Sequence, residues 1–135
     1  MTQPAPEVRS ARPADCDAAV ELLDAAMLEV DPAEVRERIE EGETLVADAG
    51  TRLVGVCVLE SQADGAEITQ IAVHRSRRAR GLGRELVEAA AARTDGPLTA
   101  TFRAQVRPFY EATGFEIEPA DEGENKGGRF RGRFR

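Results

Sequence analysis

The chain has no tryptophan, and only one tyrosine, one histidine, one lysine and two cysteines in 135 residues. Each scarcity removes a class of function. Cys16 and Cys57 cannot make the disulfide framework of a small secreted domain. With the one histidine, His74, they are too few and too scattered for a metal site, so no metal is expected. A lone Lys126 leaves no Gly-Lys-Ser/Thr for a Walker loop. No apolar run reaches the roughly 18 residues that span a bilayer. The opening MTQPAPEVRS has no apolar signal core, so a cytoplasmic protein without membrane contact is expected. Acidic residues number 25 against 18 basic ones, and the net charge of −7 argues against a general nucleic-acid binder.

What is present is enough for one domain over residues 1–135, with 41% hydrophobic residues to build its core. Charge is unevenly placed. Residues 68–84 hold Arg75, Arg77, Arg78, Arg80 and Arg84 without an acid. Residues 126–135 hold Lys126, Arg129, Arg131, Arg133 and Arg135, again without one. A basic island in an acidic chain points to a bound small anion. The near-absence of lysine beside many arginines fits either a halophile protein kept soluble at high salt or GC-rich coding bias.

Periodicity predicts a mixed order of elements. Strands are expected at Glu7–Ser10, Thr44–Asp48, Leu53–Glu60, Ala66–Val73, Leu98–Phe102 and Phe115–Glu118. Helices are expected from Asp15 to about Leu28, then at Pro32–Glu41, Gly81–Arg93 and Pro108–Thr113. In the C-terminal GGRFRGRFR, Phe130, Gly132 and Phe134 alternate with arginines, as Phe115 and Ile117 alternate with Glu116 and Glu118. A hairpin between the two segments would set phenylalanines beside apolar partners and arginines beside glutamates. The rival reading is an arginine-glycine tail that binds RNA.

The chemistry concentrates in residues 66–88, AEITQIAVHRSRRARGLGRELVE. A strand ends near Val73, a basic loop follows, and Gly81-Leu82-Gly83 opens a helix. First-turn amides and the dipole end attract anions, and glycines let a bulky anion approach closely. Arg78, Arg80 and Arg84 around those amides complete a pyrophosphate cradle. A dinucleotide fingerprint would need a third glycine where Leu86 stands.

The spacing Arg78-x-x-Gly81-x-Gly83 after a strongly β-branched strand resembles the acyl-CoA signature of the GNAT superfamily of N-acetyltransferases. A second match lies about 27 residues downstream, where Phe109-Tyr110-Glu111-Ala112-Thr113-Gly114-Phe115 resembles that family's aromatic-Tyr-Glu-x-x-Gly-Phe segment. The resemblance implies an α+β fold of the acyl-CoA N-acyltransferase type. Its mixed, mostly antiparallel sheet has about seven strands flanked by about four helices, and splays to admit a pantetheine arm.

The implied activity is transfer of an acetyl group from acetyl-CoA, as co-substrate, to a small-molecule or peptide amine, by a monomer or homodimer. Tyr110 would protonate the leaving thiolate; a phenol of pKa about 10 keeps its proton at neutral pH. The run from Ala66 to Gly83 aligns without gaps on the histone-acetyltransferase branch, which puts Glu67 on the catalytic base, with Glu60 and a water relay in reserve. Ile71, Ala72 and Val73 would offer backbone groups to pantetheine. Arg78, Ala79, Arg80, Gly81, Leu82, Gly83 and Arg84 would hold the pyrophosphate. The family's cofactor-contacting asparagine falls on Arg103, with Gln105 as its substitute. Acids in residues 14–43, among them Asp24, Glu29, Asp31, Glu34, Glu37, Glu40, Glu41 and Glu43, would attract a cationic amine. A regulatory module of the same fold, binding acyl-CoA without turnover, is the alternative.

Overall fold

Period-two runs rich in Val, Ile and Leu become strands of one sheet, and the amphipathic segments between them become helices laid on its two faces. The structure, a computed structural model, describes residues 5–26, 28–78, 81–119 and 129–134. The strands are β1 (Glu7–Ser10), β2 (Thr44–Asp48), β3 (Leu53–Gln62), β4 (Gly65–Val73), β5 (Leu98–Arg103), β6 (Phe115–Pro119) and β7 (Arg129–Phe134). The helices are α1 (Cys16–Ala25), α2 (Pro32–Glu40), α3 (Leu82–Ala91) and α4 (Arg107–Ala112). Spatial order is β1-β2-β3-β4-β5-β7-β6, and only β4 and β5 run parallel. The expected mixed, mostly antiparallel sheet with four helices is therefore the observed one.

Two cores result. One lies between the sheet and α3 and α4, with Leu86, Val87, Ile68, Leu98 and Ala100 almost fully buried. The other lies under α1 and α2, around Leu23, Val35, Ile39, Val46 and Val56. Helix α1 stops at Ala25, short of the expected Leu28. The Leu28 N–H reaches back to the Leu23 carbonyl at 3.2 Å, which folds Leu28 and Val30 onto the second core. Met27, expected on the helix face, lies outside the described residues. Helix α2 starts as its sequence predicts, with Pro32 in the first turn and the Asp31 carboxylate accepting from the Ala33 N–H at 3.0 Å.

The C-terminal hairpin forms. Glu116 faces Arg133, Glu118 faces Arg131 and Phe115 faces Phe134 across β6 and β7. Arg135 and residues 120–128, including Lys126, lie outside the described residues. Strand β7 also inserts between β5 and β6, a placement that alternation alone does not reveal.

Surface charges tie elements together at two points. Arg9 on β1 grips Asp15 at 2.8 Å and Asp48 at 3.1 Å, so Asp15 serves a salt bridge as well as the start of α1. Arg38 on α2 reaches Glu43 at 3.2 Å and Glu60 at 3.4 Å, while the Ser61 N–H donates to Glu43 at 2.6 Å. Burial pushes the Glu43 carboxyl up, but hydrogen bonds from Ser61 and the Arg38 guanidinium outweigh it and hold the pKa at about 2. A depressed carboxylate stabilises the fold above its unfolded pKa and loses that contribution as pH falls through the folded value. Stability is thus expected to fall between pH of about 4.5 and about 2. In Glu43→Gln, acid titration followed by circular dichroism should show a shallower fall across that window.

Candidate active site

Strands β4 and β5 hold together over only three rungs, Ala66↔Leu98, Glu67↔Thr99 and Ile68↔Ala100. Beyond them β4 stays registered with β3 as far as Val73, and β5 with β7 as far as Arg103. A bulge marks the parting point: Leu59 pairs with Ile68 and Val58 with Gln70, which leaves Thr69 extra. The Thr69 hydroxyl donates to the Val58 carbonyl at 3.2 Å and holds the kink. The gap is a cleft of about 1010 Å³. Ile71, Ala72 and Val73 line one wall, and Thr101, Phe102 and Arg103 the other.

Helix α4 closes the inner side with an aromatic cluster. Tyr110 stacks on Phe102 with centroids 4.2 Å apart, and meets Phe109 and Phe115 edge-on at 5.1 and 5.0 Å. Tyr110 is 5% exposed and lines the cleft. Burial pushes its phenol pKa upward, and nearby Cys57 and Glu67 push the same way. The phenol therefore keeps its proton through neutral and mildly alkaline pH. Burial alone raises the Cys57 thiol to about 12, which leaves it a packing group. Cys16 is likewise buried.

Glu67 sits two residues before the bulge and is half-buried. Its neighbours Ala66 and Ile68 point into the α3 core, so its side chain points to the opposite face. Glu60 lies directly across β3 but is engaged by Arg38. Among the described residues no ion pair engages Glu67. A smaller pocket of about 260 Å³ adjoins the cleft and shares Glu29, Thr69 and Gln70 with it; Asp31 and Glu34 complete its acidic wall.

The basic loop after β4 is ordered by its own side chains. His74 Nδ1 accepts from the Ser76 N–H at 3.1 Å and starts a 3₁₀ turn over Arg75–Arg77. Burial and the surrounding Arg52, Arg75, Arg78 and Arg77 lower the His74 pKa, so the ring is neutral at pH 7. Arg78 donates through Nε to the Val73 carbonyl at 3.2 Å and lines the cleft. Gly81 adopts φ +82°, with open space where a Cβ would be. Gly83 has a different reason to be glycine, since a Cβ there would lie 2.5 Å from the Phe109 ring. That close approach packs the first turn of α3 against α4.

Of the expected site residues, Ile71, Ala72, Val73, Arg78, Gly83, Gln105 and Tyr110 converge on the cleft. Gly81 and Leu82 adjoin it at the start of α3, with the Leu82 side chain buried in the core. Neither Glu67 nor Arg84 lines it, and Arg84 pairs along α3 with Glu88 at 3.7 Å. Ala79 and Arg80 lie outside the described residues. The structure adds Phe102, Phe109, Arg77 and Arg129 to the cleft. Alternation in β5 could have found Phe102; nothing local in the sequence foretold Arg129. Among the described residues no cluster of metal-ligating side chains occurs.

The family described as "Acetyltransferase (GNAT) domain" matches residues 14–131. No curated protein matches the chain by sequence. Among solved structures, a GNAT-family acetyltransferase from Bacillus cereus is 17% identical, with a TM-score of 0.78 and coverage of 97% of this chain and 96% of that one. Ard1 from Thermoplasma volcanium is 17% identical at a TM-score of 0.77, covering 96% and 97%. The PaiA N-acetyltransferase of Thermoplasma acidophilum, in complex with coenzyme A, is 17% identical at 0.71, covering 98% and 99%. At such identities the likeness is one of fold, while the family match spans most of the chain. With its parted β4 and β5 and its glycine-opened α3, the chain belongs to the GNAT acetyltransferase family.

Proposed function

We propose that the protein moves an acetyl group from acetyl-CoA to a primary amine by direct attack on the thioester. The observation that carries this reading is the parting of β4 from β5 at Thr69, with Tyr110 on the cleft and Glu67 just before its vertex. Among the described residues no strand lies beside β4 on the β5 side from Thr69 onward, so its backbone there can pair with the amides of pantetheine. Ile71 and Val73 are the residues for that pairing, with Ala72 between them. The amides of Gly81, Leu82 and Gly83, with Arg78 and the neighbouring Ala79, Arg80 and Arg84, are the cradle for the pyrophosphate. Gln105 supplies a side-chain contact from the far wall.

The donor supplies an activated carbonyl with a thiolate leaving group. Glu67 takes a proton from the bound ammonium and so frees the lone pair for attack; the nitrogen's second proton leaves to solvent as the C–N bond of the amide forms. Tyr110 gives its proton to the sulfur as the C–S bond breaks, and regains one from solvent. The acidic pocket around Glu29, Asp31 and Glu34 draws a cationic amine toward the vertex.

Calorimetric titration with CoA and thiol release from acetyl-CoA over a panel of polyamines, amino acids, aminoglycosides and peptides test the reading. Heat on titration and release with at least one amine are expected. No heat overturns it, and binding without release on the whole panel makes the protein a binding module instead. Glu67→Gln is expected to lower kcat by about 10²-fold to 10⁴-fold with CoA affinity unchanged. Wild-type kcat in Glu67→Gln would return the base to Glu60 or to water.

A further inference from the structure

We infer that Arg103 and Arg129 form a second anion subsite on the cleft, separate from the glycine-loop amides and built for a phosphoryl or carboxylate group. The two arginines face each other directly across β5 and β7. Both are exposed and both line the cleft. Like charges placed opposite one another on adjacent strands repel and cost stability. The next arginines along β7 are matched differently: Arg131 faces Glu118 and Arg133 faces Glu116 on β6. Among the described residues no ion pair engages Arg103 or Arg129. Arginines on facing residues can bring two guanidiniums to the oxygens of one oxyanion, and binding one removes their mutual repulsion.

Strand alternation separates this pair from the loop. Phe102 and Phe130 turn inward to the aromatic cluster on the α3 and α4 side, with rings 6.4 Å apart. Arg103 and Arg129 therefore turn to the other face of the sheet, the face to which Glu67 also points. The glycine loop belongs to α3 on the opposite face. An anion at Arg103 and Arg129 is consequently a different group from the one the loop amides hold. Two sources share this chemistry: the 3′-phosphate of CoA, and a carboxylate or phosphate on the acceptor amine.

The inference rests on the proposed function for its sources, and the test keeps the two apart. CoA and 3′-dephospho-CoA are titrated into the wild type and into R103Q/R129Q. Thiol release is then compared for 4-aminobutyrate against 4-aminobutyramide, and for phosphoethanolamine against ethanolamine. A loss of about tenfold to a hundredfold in CoA affinity, absent with 3′-dephospho-CoA, assigns the subsite to the donor. A like rise in KM confined to the anionic amines, with CoA affinity kept, assigns it to the acceptor. Because the pair repels, the variant should melt no lower than the wild type, so misfolding does not mimic either result. CoA uptake by the wild type with neither discrimination moved by the substitutions overturns this inference alone. No CoA uptake by the wild type overturns the functional reading itself.

Discussion

Tyr110→Phe is expected to lower kcat by about 10²-fold to 10⁴-fold while leaving the fold and CoA affinity in place. The ring does the packing and only the hydroxyl carries the proton. The 4.2 Å stack on Phe102 and the edge contacts to Phe109 and Phe115 persist in a phenylalanine. Desolvation has raised the phenol pKa, with Cys57 and Glu67 adding to it, so the proposed donor stays protonated as pH rises past the ordinary tyrosine range. The alkaline limb of the wild-type profile should accordingly begin late. In the variant the thiolate must take its proton from water, and thiol release should be slow at every pH. Thermal melting and calorimetric titration with CoA serve as controls. A variant that keeps wild-type kcat would show that Tyr110 only packs.

Gly96→Ala is expected to destabilise the protein by roughly 3 kcal/mol or more, because the clash is with backbone rather than with a movable side chain. A Cβ at Gly96 would lie 1.5 Å from the Asp64 carbonyl oxygen, and one at Gly65 would lie 2.1 Å from that of Pro97. The turn between β3 and β4 is thus pressed against the connection from α3 into β5. The Ala66 N–H donates to the Pro97 carbonyl at 3.0 Å just where the parallel pairing begins. This joint sets the vertex of the cleft, so a displaced β5 should also weaken CoA binding. For a chain of this size the melting temperature should drop by roughly 10 °C. Gly50→Ala is the matched control. Its φ of +94° costs about 1–2 kcal/mol of strain, but nothing lies within 4 Å of the added methyl group. Equal melting temperatures for the two variants would show that the joint tolerates separation.

Most of the element order was legible because apolar spacing reports which face of a strand or helix is buried. Alternation in Phe115–Glu118 and in the C-terminal arginine run anticipated the pairs of β6 with β7. The same alternation could not tell that β7 also pairs with β5, because period two specifies a face and leaves the neighbours open. Helix α1 is shorter than its apolar spacing predicts for a similar reason. Leu28 continues the apolar spacing, and only the second core, which draws the chain back toward Leu23, ends the helix early.

By itself the sequence determined the glycine-opened start of α3, the lone tyrosine on its short helix and the strand that carries Glu67, since each depends on residues close together in the chain. Tertiary structure decided where β4 and β5 part, why Gly96 admits no side chain, that Gly83 lies against the Phe109 ring, and which arginines share a cleft. Those outcomes depend on backbones and side chains meeting from distant segments, and local propensity carries no information about distances of that kind.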